Sequence, residues 1–337
     1  MGPLIKSYLG NTLHLLTHLA EEHSSAFILR RLRASTPFLQ PFDALQRKLL
    51  KLVAGLFGSS SSRRVRVQAL LWLRDFGLTG GPKALPAVLT ASYRAYVASA
   101  RMVTSASVPD LSFMVSGIVE LYGLDLEASY EAMFGFVSQL VRWLYLSING
   151  WRRSFCCMAR AERVCGVQAG IVRTAMTAKT SEAYKQAYNW RTVNCLELWG
   201  RVAAAHATQG DLQPLVYPVV QLLLATARLV ASPRWFPIRL RLARILTAVA
   251  SATRQFVPVV PLLLEVLMWP GFAKPVSGVG KCPVLSLQLR LSKANLSSPA
   301  VQQALVEQVC TQFFEHHVCT QFFEHHVCTL RVFTSSS

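Results

Sequence analysis

Acidic residues are scarce in this sequence. Of its 337 residues only 17 are aspartate or glutamate, against 35 lysines and arginines, so the formal net charge is +18. No acidic residue occurs between Asp211 and Glu265. A surface this basic favours an acidic partner, and nucleic acid, an anionic membrane and an acidic protein segment are all candidates at this stage.

Long apolar runs are missing as well. A membrane-spanning helix needs roughly 20 consecutive apolar residues, and the two most apolar windows, residues 215–231 and 256–269, are both interrupted. The interrupting residues are Gln221, Arg228, Pro258, Pro261 and Glu265. The first residues also lack the small-residue cleavage site of a secretory signal. We therefore expect both windows to be buried helices of a soluble protein that has no membrane partner.

Motifs of catalysis and metal binding are absent too. None of the eight cysteines belongs to a C-x-x-C pair, and a chain of this length needs no disulfides to fold, which indicates a reducing compartment. There is neither a G-x-S-x-G nucleophile elbow nor a phosphate-binding Walker loop. The Glu-His-His-x-Cys pattern that starts at Glu315 lacks metal-ligand spacing, because adjacent histidines point about 100° apart on a helix. We expect no enzymatic activity, no cofactor, no bound metal and no small-molecule substrate.

Helical periodicity dominates the sequence. In residues 235–251 an apolar residue recurs every three or four positions, at Ile238, Leu242, Ile245 and Val249. Pro237 precedes them, where its fixed φ suits a first helical turn. Similar stripes occur in eight further stretches, namely 4–20, 44–57, 65–76, 84–101, 111–122, 126–140, 212–230 and 300–309. The pattern predicts about ten helices joined by short loops.

Residues 284–291 depart from this pattern. Leu285, Leu287, Leu289 and Leu291 alternate with polar residues, and this period of two is typical of an extended segment or an edge strand. No alternation of strands and helices occurs elsewhere, so the predicted class is all-α. We expect a HEAT- or armadillo-like α-solenoid of antiparallel helix pairs, with an irregular helical bundle as the alternative.

Residues 182–202 are rich in aromatic side chains. On a helix Tyr184, Tyr188 and Trp199 would share one face, and Trp190 would lie opposite. A helix that is apolar on both sides is buried between its neighbours, so we expect these rings to be core residues and Asn189 to satisfy a buried backbone group. A stacking platform for nucleic-acid bases would instead need exposed rings.

Arginine dominates the window without acidic residues. Arg241 and Arg244 share the flank of the helix over 235–251 that lies away from its apolar side, so we expect them to face outward together. Arginine forks bind phosphate oxygens and carboxylates alike, whereas solvated helix faces are the alternative. The candidate interface residues are Arg228, Arg234, Arg239, Arg241, Arg244 and Arg254. Three further basic clusters lie at 30–33, 47–51 and 63–66.

The order of several phrases resembles the nucleolar complex protein 2 family, also called the Noc2p family. They are EAYKQAYNW at 182–190, NCLELWGRV at 194–202, LQPLVYPVVQLL at 212–223, RWFPIRLRLARIL at 234–246, FVPVVPLLLEVL at 256–267 and LRLSKANL at 289–296. Upstream, residues 5–16 and 108–125 fit the same family, so the resemblance covers most of residues 4–309. The structural residues of these phrases are Tyr184, Tyr188, Asn189, Trp190, Trp199, Tyr217, Pro218, Pro237, Pro258 and Pro261.

This resemblance implies a helical-repeat scaffold of the nucleolus and nucleoplasm. Members of the family pair with nucleolar complex proteins 1 and 3. They act in the maturation and intranuclear transport of the precursor of the large ribosomal subunit, which makes that particle and its ribosomal RNA expected partners. No catalytic residue is implied. A nuclear transport adaptor of the importin type, which is also a helical-repeat protein, is the alternative function.

Two stretches depart from the family pattern, so we expect residues 1–309 to form the scaffold domain with an interruption. Residues 141–168 interrupt what would otherwise be one helix, and we hypothesise that they are a translated, unspliced intron. VCTQFFEHH occurs at 309–317 and again at 318–326. Nine residues advance a helix by 900°, half a turn out of phase, so the two copies would present opposite faces. We expect residues 310–337 to be a disordered or non-native tail.

Overall fold

The computed structural model describes the backbone of residues 2–18, 21–135, 188–206, 210–273 and 283–334, and the side chains of these ranges except Gly2 and residues 317–334. The described chain is helical and contains no strand, which confirms the all-α class. It divides into two compact units, Met1–Ala132 and Met133–Ser337.

The first unit is built from consecutive helices. They are α1 (Gly2–His18), α2 (Glu22–Ala34), α3 (Asp43–Ser59), α4 (Arg63–Thr79), α5 (Ala84–Ser99), α6 (Val108–Tyr122) and α7, of which residues 126–132 belong to this unit. Helix α4 packs against α2, α3, α5 and α6, and α3 packs against α1, α4 and α5. Trp72, at the middle of α4, is fully buried and stacks on Phe76 at a ring-centroid distance of 4.9 Å. The core of this unit therefore lies around α3 and α4.

The second unit surrounds one central helix. Its helices are α8 (Trp190–His206), α9 (Gln213–Arg228), α10 (Phe236–Thr253), α11 (Val260–Leu267), α12 (Lys293–Leu296) and α13 (Pro299–Thr334). Helix α10 packs against α8, α9, α11 and α13. Ile238, Leu242, Ile245 and Val249 are buried, as their spacing predicts, and Pro237 lies in the first turn of α10.

Helices α8 and α10 approach each other closely at a glycine. A Cβ atom on Gly200 would lie 2.2 Å from Cγ2 of Ile245, far inside van der Waals contact. Only glycine fits this crossing without displacing the side chain of Ile245. Residues 192–200 of α8 are all buried, so the expectation that this aromatic-rich helix lies between its neighbours is confirmed.

Most sequence-predicted helices are present, but three local predictions are wrong or incomplete. Helix α2 was not among the predicted stripes, because it buries Ser25, Leu29 and Leu32 while Phe27 on the same helix is exposed. The aromatic helix does not run through 182–202: residues 188 and 189 form a bend and α8 begins at Trp190.

The segment near 284–291 is not a strand. Residues Leu285–Leu287 form a 3-10 turn, although Val284 and Gln288 on either side have extended backbone angles. Leu291 is buried and its N–H donates to the carbonyl of Arg234 at 2.8 Å. The alternation of leucines therefore places side chains against α10 rather than joining a sheet, since the described chain offers no strand to pair with.

The predicted domain limits stay predictions. Residues 141–168 and Tyr184 lie outside the described residues. The backbone of 310–334 is part of α13. In the first copy of the duplicated phrase Gln312 is buried and its side-chain amide donates to the carbonyl of Leu240 at 3.0 Å, whereas the side chains of the second copy are not described.

No helix among the described residues is long and apolar enough to span a bilayer.

Candidate functional site

The six candidate arginines do not form one surface. Arg228, Arg244 and Arg254 are exposed, and Arg234 is half-buried. Arg239 is only 5% exposed. The prediction that Arg241 and Arg244 face outward together is wrong for Arg241, whose side chain is 19% exposed and turned toward a carboxylate.

That carboxylate belongs to Glu197 in α8. Both Nε and Nη2 of Arg241 contact its Oε2, at 2.9 and 2.7 Å. Arg201, one turn further along α8, contacts Oε1 at 3.2 Å. Arg241 also donates to the carbonyl of Ser286 at 3.2 Å and lies with its guanidinium carbon 5.3 Å from the ring centroid of Trp190. One arginine of α10 thus ties together α8 and the segment around 284–291.

The electrostatics of this cluster favour the ionised carboxylate. Burial alone would raise the pKa of the Glu197 carboxyl, but Arg241 in direct contact, with Arg201 and Arg244 nearby, outweighs burial and holds that pKa below its ordinary value. Arg241 and Glu197 therefore form a charged, partly buried pair inside the second unit. A pair of this kind fixes the geometry of its helices rather than offering a catalytic acid or base.

Arg239 has a carboxylate partner on α11. Its Nη1 donates to Oε2 of Glu265 at 2.7 Å, and its Nη2 reaches the carbonyl of Val230 at 3.4 Å. Glu265 directly follows the window of 212–264 that has no acidic residue, and Glu197 precedes that window on α8. The apparent charge imbalance of that window is therefore partly neutralised from its two flanks.

Aromatic rings surround the start of α8. The hydroxyl of Tyr188 donates to the carbonyl of Thr226 at 2.7 Å, and burial raises the pKa of Tyr188 to about 12. Its ring meets that of Trp235 edge-on at 4.9 Å, and Arg290 lies 5.6 Å from the Trp235 centroid. Tyr188 and Trp199 are buried, which confirms their expected place in the core.

The remaining family-motif residues have distinct structural roles. Asn189 accepts a hydrogen bond from the N–H of Thr192 at 2.8 Å, so it caps the first turn of α8 and satisfies a backbone donor as predicted. Pro261 lies in the first turn of α11, and Pro258 precedes that helix. Pro218 lies inside α9, and its neighbour Tyr217 is 69% exposed. Tyr217 is therefore a surface residue, whereas Tyr188 is buried.

The basic clusters of the first unit likewise contain both buried or paired arginines and exposed ones. Arg66 is buried: it donates to the carbonyls of Ser60 at 2.6 Å and Phe57 at 3.3 Å, at the end of α3, and to Asp110 at 3.2 Å. Arg33 pairs with Asp75. The exposed arginines of these clusters are Arg30, Arg31, Arg47, Arg63 and Arg64.

Sequence reasoning missed the acidic and neutral partners. Glu197, Asn194 and Ser286 were not among the predicted site residues, yet they surround Arg241. The spacing of Glu197 and Arg201, four residues apart on a helix, was the available signal. Among the described residues no three His, Cys, Asp or Glu side chains converge as metal ligands do. What the described part of the second unit offers is a packed helical core with Arg228, Arg244 and Arg254 outside it.

The sequence is similar to proteins of nucleolar complexes. It is 34% identical over 314 residues to the nucleolar complex-associated protein 2 of Arabidopsis thaliana, covering 93% of this chain and 37% of that protein. It is 29% identical over 313 residues to the nucleolar complex protein 2 of Drosophila melanogaster, covering 93% and 37%. It is 25% identical over 267 residues to the protein REBELOTE of Arabidopsis thaliana, covering 79% and 40%. The chain thus spans about two fifths of the length of these curated relatives.

A family model matches most of the chain. The model, described as the Noc2p family, matches residues 83–151 and 167–328. The two stretches leave 152–166 unmatched, within the 141–168 segment that the sequence marks as an interruption, and they extend into the duplicated phrase. Since the matched residues make up more than half of the sequence, this chain belongs to the Noc2p family.

Proposed function

We propose that this chain is a non-catalytic scaffold of a nucleolar complex that acts in the assembly of the large (60S) ribosomal subunit and in the intranuclear transport of pre-ribosomes. Membership of the Noc2p family carries the proposal, together with the names of relatives from a plant and an insect as nucleolar complex proteins. The proposed location is the nucleolus and nucleoplasm, and the proposed partners are nucleolar complex proteins 1 and 3.

Helix packing supports a HEAT- or armadillo-like architecture for such a scaffold. In the first unit α3 contacts α4 and α5, and α4 contacts α5 and α6. Contacts between helices one and two positions apart are what stacked helix pairs produce, because each pair rests on the next. Stacked pairs give rigid surfaces on which large partners assemble.

The exposed arginines of the second unit are the proposed contact with pre-ribosomal particles. Arg228 and Arg244 project from α9 and α10, and Arg254 follows α10. Exposed guanidiniums bind phosphate oxygens of ribosomal RNA or carboxylates of an assembly factor. Arg239 and Arg241 are not part of this surface, because their side chains are largely buried and pair with Glu265 and Glu197.

Sedimentation of the tagged chain from nuclear extracts tests the proposal. A scaffold of pre-ribosomes co-sediments with large-subunit precursors, and its depletion lowers the amount of large subunits while small subunits stay constant. A crosslinking pull-down then identifies which proteins and RNA segments lie against it. Sedimentation only in light fractions, with normal subunit ratios after depletion, would overturn the proposal.

A matched pair of variants tests the surface. Replacing Arg228, Arg244 and Arg254 by glutamine removes the exposed charges of the second unit. The control is an α3 triple variant in which the exposed residues Arg47, Lys48 and Lys51 become glutamine. We expect the first variant to lose co-sedimentation about tenfold at physiological salt, and the control to retain it. Equal losses would mean that net charge alone, rather than this surface, holds the particle.

The same extracts distinguish an importin-like adaptor. An adaptor of that class would bind a nuclear GTPase and shuttle between compartments, and its pull-down would lack ribosomal RNA. A scaffold would stay with the precursor particle.

A further inference from the structure

The first unit has a groove that its packing leaves open. It lies between α2 and the first turns of α4, with a volume of about 780 Å³. Phe27 and Arg30 come from α2, and Arg63, Arg64 and Val67 come from α4. The groove precedes residue 83, where the match to the family model begins.

The charge of this groove is one-sided. Arg30, Arg63 and Arg64 are exposed in its wall, and no carboxylate of the described chain lies within ion-pair distance of any of them. Nη1 of Arg64 donates to Nε2 of His23 at 3.2 Å. Glu22 is the only carboxylate among the described lining residues. No described carboxylate pairs with these guanidiniums, so an anionic partner would not have to displace an existing ion pair.

An exposed aromatic ring lies among these charges. Phe27 is 60% exposed, although α2 already buries Leu29 and Leu32 against the unit. The guanidinium carbon of Arg31 lies 5.5 Å from its ring centroid, so one side of the ring is in contact with a cation. Ala26 and Val67 line the same groove and are half-buried. The groove therefore combines an apolar floor with cationic walls.

We propose that this groove binds an acidic peptide segment of a partner protein, with one apolar anchor side chain against Phe27, Ala26 and Val67. The carboxylates that flank the anchor pair with Arg30, Arg63 and Arg64. A helix or extended segment with an apolar residue among acidic ones has this chemistry. The inference is independent of the contact proposed for the second unit, since it involves other residues.

The lining favours a peptide over single-stranded nucleic acid. Nucleic-acid grooves stack successive bases on several aromatic rings, whereas Phe27 is the only ring in the described lining. Aliphatic groups such as those of Ala26 and Val67 add nothing to a phosphate backbone, but they hold a leucine or phenylalanine side chain.

Fluorescence anisotropy with the full chain tests the proposal. The probe is a labelled peptide of glutamate and serine around a central leucine–phenylalanine pair. Two comparison probes are the same peptide with that pair replaced by serine, and labelled oligouridylate of equal length. We expect the first peptide to bind at least about tenfold more tightly than the serine peptide. Tighter binding of oligouridylate, or no binding of the first peptide, would overturn the proposal.

Variants locate the binding. Phe27→Ala should weaken the first peptide to the level of the serine peptide without changing oligouridylate binding. Neutralising Arg30, Arg63 and Arg64 to glutamine should weaken it at least about tenfold, while the α3 triple variant should bind normally. Because all these side chains are exposed, circular dichroism should show an unchanged fold. If both triple variants weakened peptide binding equally, the binding would depend on overall charge, and the proposal that this groove is the site would be wrong. Co-sedimentation with precursors, read separately, reports on the second unit alone.

Discussion

Arg66 of the first unit and Arg241 of the second unit are held in different ways. In the first unit Arg66 donates to two main-chain carbonyls at the end of α3, and the side chain of its carboxylate partner, Asp110, is 41% exposed. In the second unit Arg241 meets Glu197, whose side chain is 11% exposed. Arg66 therefore binds carbonyls at the end of a helix, whereas Arg241 neutralises a carboxylate that is mostly buried.

The difference indicates where each arginine makes the fold sensitive to charge. A neutral carbonyl that loses its donor leaves less uncompensated polarity than an unpaired ion, so the cost of removing Arg66 is bounded. A buried ion that loses its counter-ion keeps its desolvation penalty without compensation. The fold around Arg241 should therefore depend more strongly on its ion pair than the fold around Arg66 does.

The largest expected effect is at Glu197. Glu197→Gln keeps the shape of the side chain but leaves Arg241 without its anion, so we expect the free energy of unfolding to fall by about 3 kcal/mol or more. Urea denaturation followed by circular dichroism measures it. The control is Glu307→Gln, at an exposed glutamate on α13, which should change the value by less than about 0.5 kcal/mol. Equal effects would mean that the pair does not stabilise the unit.

The pH dependence of the same variant sharpens the comparison. Because the folded pKa of Glu197 lies below the value of 4.5 for the free side chain, its ionisation stabilises the fold above that pH. This stabilisation is lost as the pH falls through the lower, folded pKa. Wild type and Glu197→Gln should thus converge in stability below pH 4.5, when both are measured across an acid titration. A difference that stays constant with pH would exclude the ionised pair as its cause.

Arg66→Met should have the next largest effect. Methionine keeps the aliphatic stem but removes three hydrogen bonds, and we expect a loss of about 2 kcal/mol. Arg63→Met, at an exposed position on the same helix, serves as its control and should stay within about 0.5 kcal/mol. If Arg66→Met lowered the free energy of unfolding as much as Glu197→Gln or more, the proposed difference between Arg66 and Arg241 would be wrong.

Tyr188→Phe tests a neutral donor in the second unit. Loss of the bond to the carbonyl of Thr226 should cost about 1 kcal/mol at neutral pH. Since burial raises the folded pKa of Tyr188 from its ordinary value of 10.0 to about 12, Tyr188 contributes stability that is fully present below pH 10 and is lost as the pH rises toward 12. That alkaline loss should be absent in Tyr188→Phe and present in Tyr217→Phe, where the side chain is exposed. Alkaline denaturation curves of the three proteins decide this.

The smallest effects concern helix caps. Asn189 accepts from Thr192 N–H at 2.8 Å in the second unit, whereas Ser62 accepts from Val65 N–H at 3.4 Å in the first. Asn189→Ala should cost about 1 kcal/mol and Ser62→Ala about 0.5 kcal/mol. Hydrogen exchange of the Thr192 and Val65 amides should accelerate in the respective variants. If Ser62→Ala cost more stability than Asn189→Ala, the difference in hydrogen-bond distance would not explain the relative strength of the two caps.

Local patterns predicted the helices wherever burial follows apolar spacing. The stripe at Ile238, Leu242, Ile245 and Val249 corresponds to the buried side of α10. Helix α2 was not predicted, because the buried Ser25 and the exposed Phe27 interrupt its apolar stripe. The leucines at 285–291 have the period of a strand, but pairing requires a second strand, and a short sequence window cannot show that none is near.

The candidate arginines illustrate the same limit for a site. Their number and one-sided sign are visible in the sequence, and Arg228, Arg244 and Arg254 are exposed as an interface requires. Arg239 and Arg241 are largely buried and pair with glutamates 26 and 44 residues away. Whether an arginine is a surface cation or an internal one depends on which carboxylate the packing brings to it.

The sequence by itself determined that this chain is helical and basic, and which stretches are buried, because apolar spacing and composition act over a few turns. The tertiary structure decided which charges remain outside. Helices α8, α10 and α11 place Glu197 and Glu265 against Arg241 and Arg239, and in the first unit α2 and α4 leave Arg30, Arg63 and Arg64 around an open groove. Coulomb attraction depends on distance in space, which spacing along the chain does not supply.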